Sequence, residues 1–189
     1  MTTSSGSTLR FKCPPRPLGI VKALIAGVGN VLRGDDAFGV AVVQRLSQER
    51  VPASVKVIEV GIGGIHLVQE LMEPVDVLIV VDALDFGRKP GTLLVVEPDV
   101  EDVSSLSVQQ RHDLLADMHY ATPDRAFMLA RGLEVLPQRI WIVGCQPRDA
   151  HHLGEGLSSE VAEAIGPALA EVRRLVRECG IDWPEPSSD

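Results

Sequence analysis

The fold class that this chain predicts is a single-domain, three-layer α/β/α sandwich around a mostly parallel, mixed sheet of about five strands. Three observations carry it. Five apolar runs of strand length recur along the 189 residues, helical patterns separate most of them, and a hydrophobic share of 45% is enough for one full core.

The first nineteen residues mix Thr, Ser and Gly with three prolines and show no apolar period, so 1–19 is expected to be a flexible extension. The domain is expected over 20–182. The strand runs are Val21 to Ala26, Val55 to Val60, Val75 to Asp82, Thr92 to Glu97 and Arg139 to Gly144, most of them rich in β-branched residues. Helical spacing is found from Ala37 to Gln48, Ile65 to Glu73, Val108 to Met118 and Pro123 to Leu133, and a long pattern from Ser158 to Cys179 closes the domain. That last helix places Val161, Ile165, Leu169, Val172 and Val176 on one stripe.

Two helix starts are marked. Thr122-Pro123-Asp124 offers a capping hydroxyl, a proline at the first position and an acid in the first turn, and Ser158 with Glu160 repeats the cap and the acid. The short turn Gly87-Arg88-Lys89-Pro90-Gly91 predicts that the strands on either side of it pair antiparallel at or near a sheet edge. Residues 183–189 lose periodicity again and are expected to be a flexible tail.

A formal charge of -8 argues against nucleic acid and anionic membranes as partners, because both need clustered Lys and Arg. Cys13, Cys145 and Cys179 lie far apart with no Cys-x-x-Cys spacing, which fits neither a disulfide framework nor a zinc knuckle and points to a reducing, cytoplasmic compartment. No apolar run approaches the ~20 residues of a membrane span, and the N-terminus lacks a secretory layout. The protein is expected to be soluble, unprocessed and monomeric when free.

In an open α/β sheet, ligands bind beyond the carboxyl ends of the strands. The polar residues there are Asn30, Asp35 and Asp36 after the first strand, Glu59 at the end of the second and Asp82 at the end of the third, with His119 before a helix. Carboxylates with one imidazole suit a divalent metal of borderline hardness such as Ni, Zn, Mn or Fe. Plainer roles stand beside this one: Asp35 as a helix cap or ion-pair partner, His119 as an interhelical hydrogen-bonder, His66 and His112 as surface residues, His151-His152 as an exposed loop pair, and Cys145 as a small buried filler.

The loop Gly27-Val28-Gly29-Asn30 also invites comparison with a dinucleotide fingerprint. Leu32 occupies the third glycine position, and Asp35 and Asp36 would repel a phosphate at the helix start. The loop suits a cation better than an anion, although Glu59 would fit a ribose-binding acid.

That loop, with Asp35-Asp36 and Gly39-Val40, resembles the opening motif of the nickel-iron hydrogenase maturation endopeptidases. Val80-Val81-Asp82-Ala83, Pro90-Gly91-Thr92, His119, Val143-Gly144-Cys145-Gln146-Pro147 and Gly156-Leu157-Ser158 resemble the same family in the same order, from about Leu24 to Gly180. The resemblance implies a cytoplasmic protease that removes a short C-terminal extension from the hydrogenase large-subunit precursor once its nickel-iron centre is loaded. It implies metal contact by a first-loop carboxylate, a carboxylate ending the second strand and a histidine, which fall on Asp36, Glu59 and His119. The segment Glu59-Val60-Gly61-Ile62 departs from the family, where Asp is followed by Gly-Gly or Ala-Gly and Thr.

On this reading Asp36 and His119 are catalytic, Asn30, Asp35 and Asp82 support them, and Gly61, Gly63 and Gly64 keep a loop small enough for a peptide to approach. Asp35 caps its helix or tunes its neighbour. Nickel is carried in by the precursor, and other divalent metals could replace it in the isolated protein. No Gly-x-Ser-x-Gly elbow, His-Glu-x-x-His helix or Cys-His pair offers an ordinary protease scheme, so an acid is expected to assist water. A nucleotide-dependent oxidoreductase and a non-catalytic metal-binding maturation chaperone of the same fold are the competing readings.

Overall fold

The structure, a computed structural model, describes residues 20–102, 107, 123–150 and 153–184. The expected extension at 1–19, the helical pattern at Val108 to Met118, Thr122, His112, His119 and the His151-His152 pair lie outside the described residues.

Five strands form one sheet: β1 (Ala23–Val28), β2 (Val55–Gly61), β3 (Val77–Ala83), β4 (Leu93–Val96) and β5 (Arg139–Cys145), in the order β2-β1-β3-β5-β4. Parallel pairing joins β1 to β2 and β3, and β3 to β5, while β4 lies antiparallel on the edge. The mixed, mostly parallel sheet is the expected one. The partner of β4 is not: the antiparallel pair was expected between the strands flanking the Gly87 to Gly91 turn, but β4 pairs with β5. Both sides of β3 are already taken by β1 and β5, so the chain must pass over β5 to find a free edge.

Helices cover both faces. A 3-10 turn (Gly34–Ala37) leads into α1 (Phe38–Ser47), which shares one face with α4 (Ser159–Glu163) and α5 (Ile165–Glu178). The opposite face carries α2 (Gly64–Leu71) and α3 (Pro123–Gly132). The central strands alternate between the two cores: Ala23, Ile25, Val77 and Ile79 face α1 and α5, and Leu24, Ala26, Leu78 and Val80 face α2 and α3. Burial on both faces is why these strands read as unbroken apolar runs.

The closing helix is two helices that meet at Ala164. Pro167 has no amide hydrogen to give to the carbonyl of Glu163, and its ring crowds that carbonyl, so the ladder restarts at Ile165. The expected stripe still holds, with Val161, Leu169, Val172 and Val176 buried. Trp183 is a second correction. It was placed in a flexible tail but is only 2% exposed and packs into the α5 core, and its carbonyl accepts a hydrogen bond from Arg177 at 3.0 Å. A lone indole carries no period, so its burial leaves no trace in the pattern.

Candidate active site at the carboxyl ends of β1 and β3

The chain runs from β1 outward to β2 and then returns across β1 to β3, so the strand order reverses between β1 and β3. That reversal opens a crevice at the carboxyl ends of these two strands. The glycines of the first motif bring its walls together. A Cβ on Gly39 would stand 2.0 Å from the Val81 carbonyl oxygen, and one on Gly29, whose φ is 135°, would stand 1.8 Å from the Asp36 carbonyl oxygen. The start of α1 therefore lies against both strands as only glycine permits.

Asp36 sits half-buried in the 3-10 turn, and its carboxylate accepts the Asn30 amide at 3.0 Å. The side-chain oxygen of Asn30 accepts the Leu32 amide at 3.0 Å, which tightens the turn of the loop. Across the crevice, Asp82 ends the central strand and is 6% exposed. Its hydrogen bond among the described residues comes from the next amide, Ala83, at 2.8 Å. Burial pushes this carboxyl up to about 7 against the Ala83 hydrogen bond, and the charges of Asp36 and Asp124 push it further in the same direction.

Glu59 stands elsewhere. It is exposed on the edge strand β2 and bonded to Gln44 of α1 at 3.0 Å, on the sheet face opposite the one that Asp82 shares with α2 and α3. The acid whose titration the Asp36 charge influences is Asp82, expected as a supporting residue. Both acids lie toward the ends of strands that border β1, on opposite faces of the sheet. His119 lies outside the described residues. Among the described residues no group of three or more His, Cys, Asp and Glu side chains is arranged to hold a metal ion.

Asp35 does not cap its own helix. Its buried carboxylate accepts the amides of Arg148 at 2.8 Å, Asp149 at 3.2 Å and Ser158 at 2.6 Å, and the Ser158 hydroxyl at 2.9 Å. Burial alone would raise its pKa, but these four hydrogen bonds outweigh it and leave the group below the usual carboxylate range. The Ser158 hydroxyl was expected to cap α4 and instead donates to Asp35. Asp35 thus fastens the loop after β5 to the loop after β1.

Gln146, within the Val143 to Pro147 motif, holds a neighbouring loop. Its buried side chain accepts the amides of Phe86 at 2.7 Å and Arg88 at 3.1 Å and donates to Asp85 at 3.0 Å, which fixes the loop leaving Asp82. A buried amide at a strand end is the signal that could have identified it. Cys145 is fully buried, as a filler should be, and burial with the Asp35 charge pushes its thiol up to about 12. Gly61 leaves open space where a Cβ would stand, a Cβ on Gly63 would meet the Val60 carbonyl oxygen at 4.0 Å, and Gly64 is buried at the start of α2. His66 lies on the surface of α2, 3.5 Å from Glu70.

A family model described as hydrogenase maturation protease matches residues 40–175. The chain is 34% identical over 162 residues to the hydrogenase expression/formation protein HupD of Rhodobacter capsulatus, covering 85% of this chain and 74% of that protein. It is 35% identical over 159 residues to HupM of Azotobacter chroococcum, covering 84% and 73%. Among solved structures, the hydrogenase maturating endopeptidase HybD from E. coli superposes with a TM-score of 0.70 at 27% identity, covering 86% of this chain and 96% of that one. The maturation protease HycI from Thermococcus kodakarensis gives 0.64 at 25%, covering 85% and 95%.

Proposed function

Because this chain belongs to the hydrogenase maturation protease family, whose peptidases process hydrogenase large-subunit precursors, we propose that Asp36 and Asp82 are the acids with which it removes the precursor's C-terminal extension. The observation that carries this reading is the buried carboxyl of Asp82 at the end of β3, within reach of the Asp36 charge.

Hydrolysis adds water to the scissile carbonyl and returns a proton to the leaving amide nitrogen. Two neighbouring carboxyls suit that exchange: near neutral pH Asp82 is poised between its two protonation states, and Asp36 is the half-buried acid whose charge reaches it. In the proposed mechanism the pair takes the proton of the attacking water and passes it to the nitrogen. Nickel arrives with the precursor as part of the substrate, and carboxylate oxygens match such an ion. His119, five residues before Asp124 in the chain, is the imidazole that the family resemblance adds. A metal held in this way orients the peptide and checks that the precursor is loaded. Action in the cytoplasm as a monomer belongs to the same proposal, and among the described residues no helix is long and apolar enough to cross a membrane.

The oxidoreductase reading is not favoured, because Gly29 and Gly39 serve close packing of α1 rather than a phosphate cradle. The test incubates nickel-loaded precursor with the wild type and with Asp36→Asn, Asp82→Asn and Glu59→Gln, following the released peptide by mass spectrometry. Loss in the first two with retention in the third supports the acid pair. Precursor binding without peptide release by the wild type would instead make the protein a chaperone.

A further inference from the structure

Four large apolar side chains are exposed on loops at the carboxyl end of the sheet, Val31 (46%), Leu32 (57%), Ile62 (54%) and Leu153 (77%), and Ile65 (38%) is exposed beside them in the first turn of α2. Their backbones are tied together. The Gly29 amide donates to the Gly61 carbonyl at 3.0 Å, the Gly154 amide to the Leu32 carbonyl at 3.1 Å, and the Gly34 amide to the Gly154 carbonyl at 2.8 Å. Asp35 adds the hydrogen bonds that bind Arg148, Asp149 and Ser158 to the same loop. Three loops from the ends of β1, β2 and β5 are therefore joined into one rim that presents these apolar side chains to solvent.

The rim is continuous with the acids. Val31 and Leu32 lie between Asn30 and Asp36, which are hydrogen-bonded to each other, and Ile62 lies between Gly61 and Gly63, where no atom stands within 4 Å of a Cβ on Gly61. Apolar side chains around open glycine backbone fit an extended peptide whose own apolar side chains are inserted beside the bond to be cut. A net charge of -8 disfavours nucleic acid as the occupant. We infer that this rim is the specificity surface of the peptidase, seating apolar residues of the large-subunit precursor that flank the scissile bond. The inference rests on the peptidase reading above and extends it to substrate selection.

The test measures cleavage over a series of precursor concentrations for Leu32→Ser, Ile62→Ser, Leu153→Ser and the triple variant, with binding of precursor to an Asp82→Asn background measured in parallel. The side chains are exposed, so melting temperatures should match the wild type. The triple variant is expected to raise KM and weaken binding by roughly tenfold or more, with kcat within about twofold. Leu32→Met should restore binding, and Met72→Ser and Leu133→Ser, which remove exposed apolar side chains elsewhere, should change neither value. Unchanged KM and binding in the triple variant would overturn the rim as a docking surface while leaving the peptidase reading intact. A change in oligomeric state with KM unchanged would also overturn it, making the rim a self-association face. Rim-dependent binding without cleavage by the wild type would uphold the rim and overturn the peptidase.

Discussion

Asp82 lies buried at the end of β3 within reach of the Asp36 charge, and burial together with that charge lifts the Asp82 carboxyl to about 7, whereas Asp35, adjacent to Asp36 in sequence, is held low by four hydrogen bonds. Two acids of one crevice are thus driven in opposite directions by their surroundings, which separates a group able to exchange a proton near neutral pH from one that remains a charged anchor.

Asp82→Asn should lower the rate of peptide release by at least about 100-fold, the usual scale for removing a general acid or base, while Glu59→Gln should stay within about threefold of wild type. Rates measured at saturating precursor separate the two. Comparable losses in both would return Glu59 to the site.

The pH profile of kcat/KM should bend near pH 7, where Asp82 titrates. Asp124 is one of the two charges that raise Asp82, so Asp124→Asn should shift the bend toward acid. An unmoved bend in that variant would assign it to another group.

Stability should carry the same signature. The folded pKa of Asp82 lies above its ordinary value of 3.8, so the native state holds the proton more tightly than the unfolded chain does, and stability falls as pH rises from about 4 through about 7. Asp82→Asn removes this loss, on the order of 4 kcal/mol. Its melting temperature should exceed that of the wild type at pH 8, and the advantage should shrink toward pH 4. Asp35 has the opposite sign: its contribution is present above its ordinary value of 3.8 and disappears as pH falls below it. Asp35→Ala should cost roughly 2–4 kcal/mol at pH 7, because it leaves buried amides unpaired, as read by chemical denaturation.

Gln146→Leu keeps the side-chain volume but releases the Phe86 and Arg88 amides. Hydrogen exchange at those two amides should speed up while that of the central strand β1 stays slow. Protection retained at Phe86 and Arg88 would show that the loop is fixed by other contacts.

Glu134 adopts a φ of 60° just after α3. A side chain is strained there, so Glu134→Gly should stabilise the protein by about 0.5–1 kcal/mol, which thermal melting would detect as a rise of a few degrees.

Much of the fold was legible in the residues themselves. Strands β1 and β3 are buried on both faces, so each had to be an apolar run, and the helices showed the 3.6-residue period that one buried stripe demands. The opening motif was legible for a related reason: Gly29 and Gly39 are required by backbone contacts under 2.5 Å, so the sequence carries a direct imprint of the close approach. Pro167 could likewise have announced the break between α4 and α5, since its missing hydrogen bond is a local property.

The amino-acid sequence by itself determined the layer architecture, the glycine loop with its twin acids and the family resemblance, because burial period, turn chemistry and motif order are written along the chain. Only the tertiary structure decided that β4 joins β5, that Trp183 belongs to the core, that Asp35 is bonded 113 to 123 residues ahead of itself, and that Asp82 is buried within reach of the Asp36 charge while Glu59 is exposed and bonded to Gln44. Each of these depends on which segments become neighbours when the sheet is ordered, a global balance of edge pairing and burial that no local run of residues specifies.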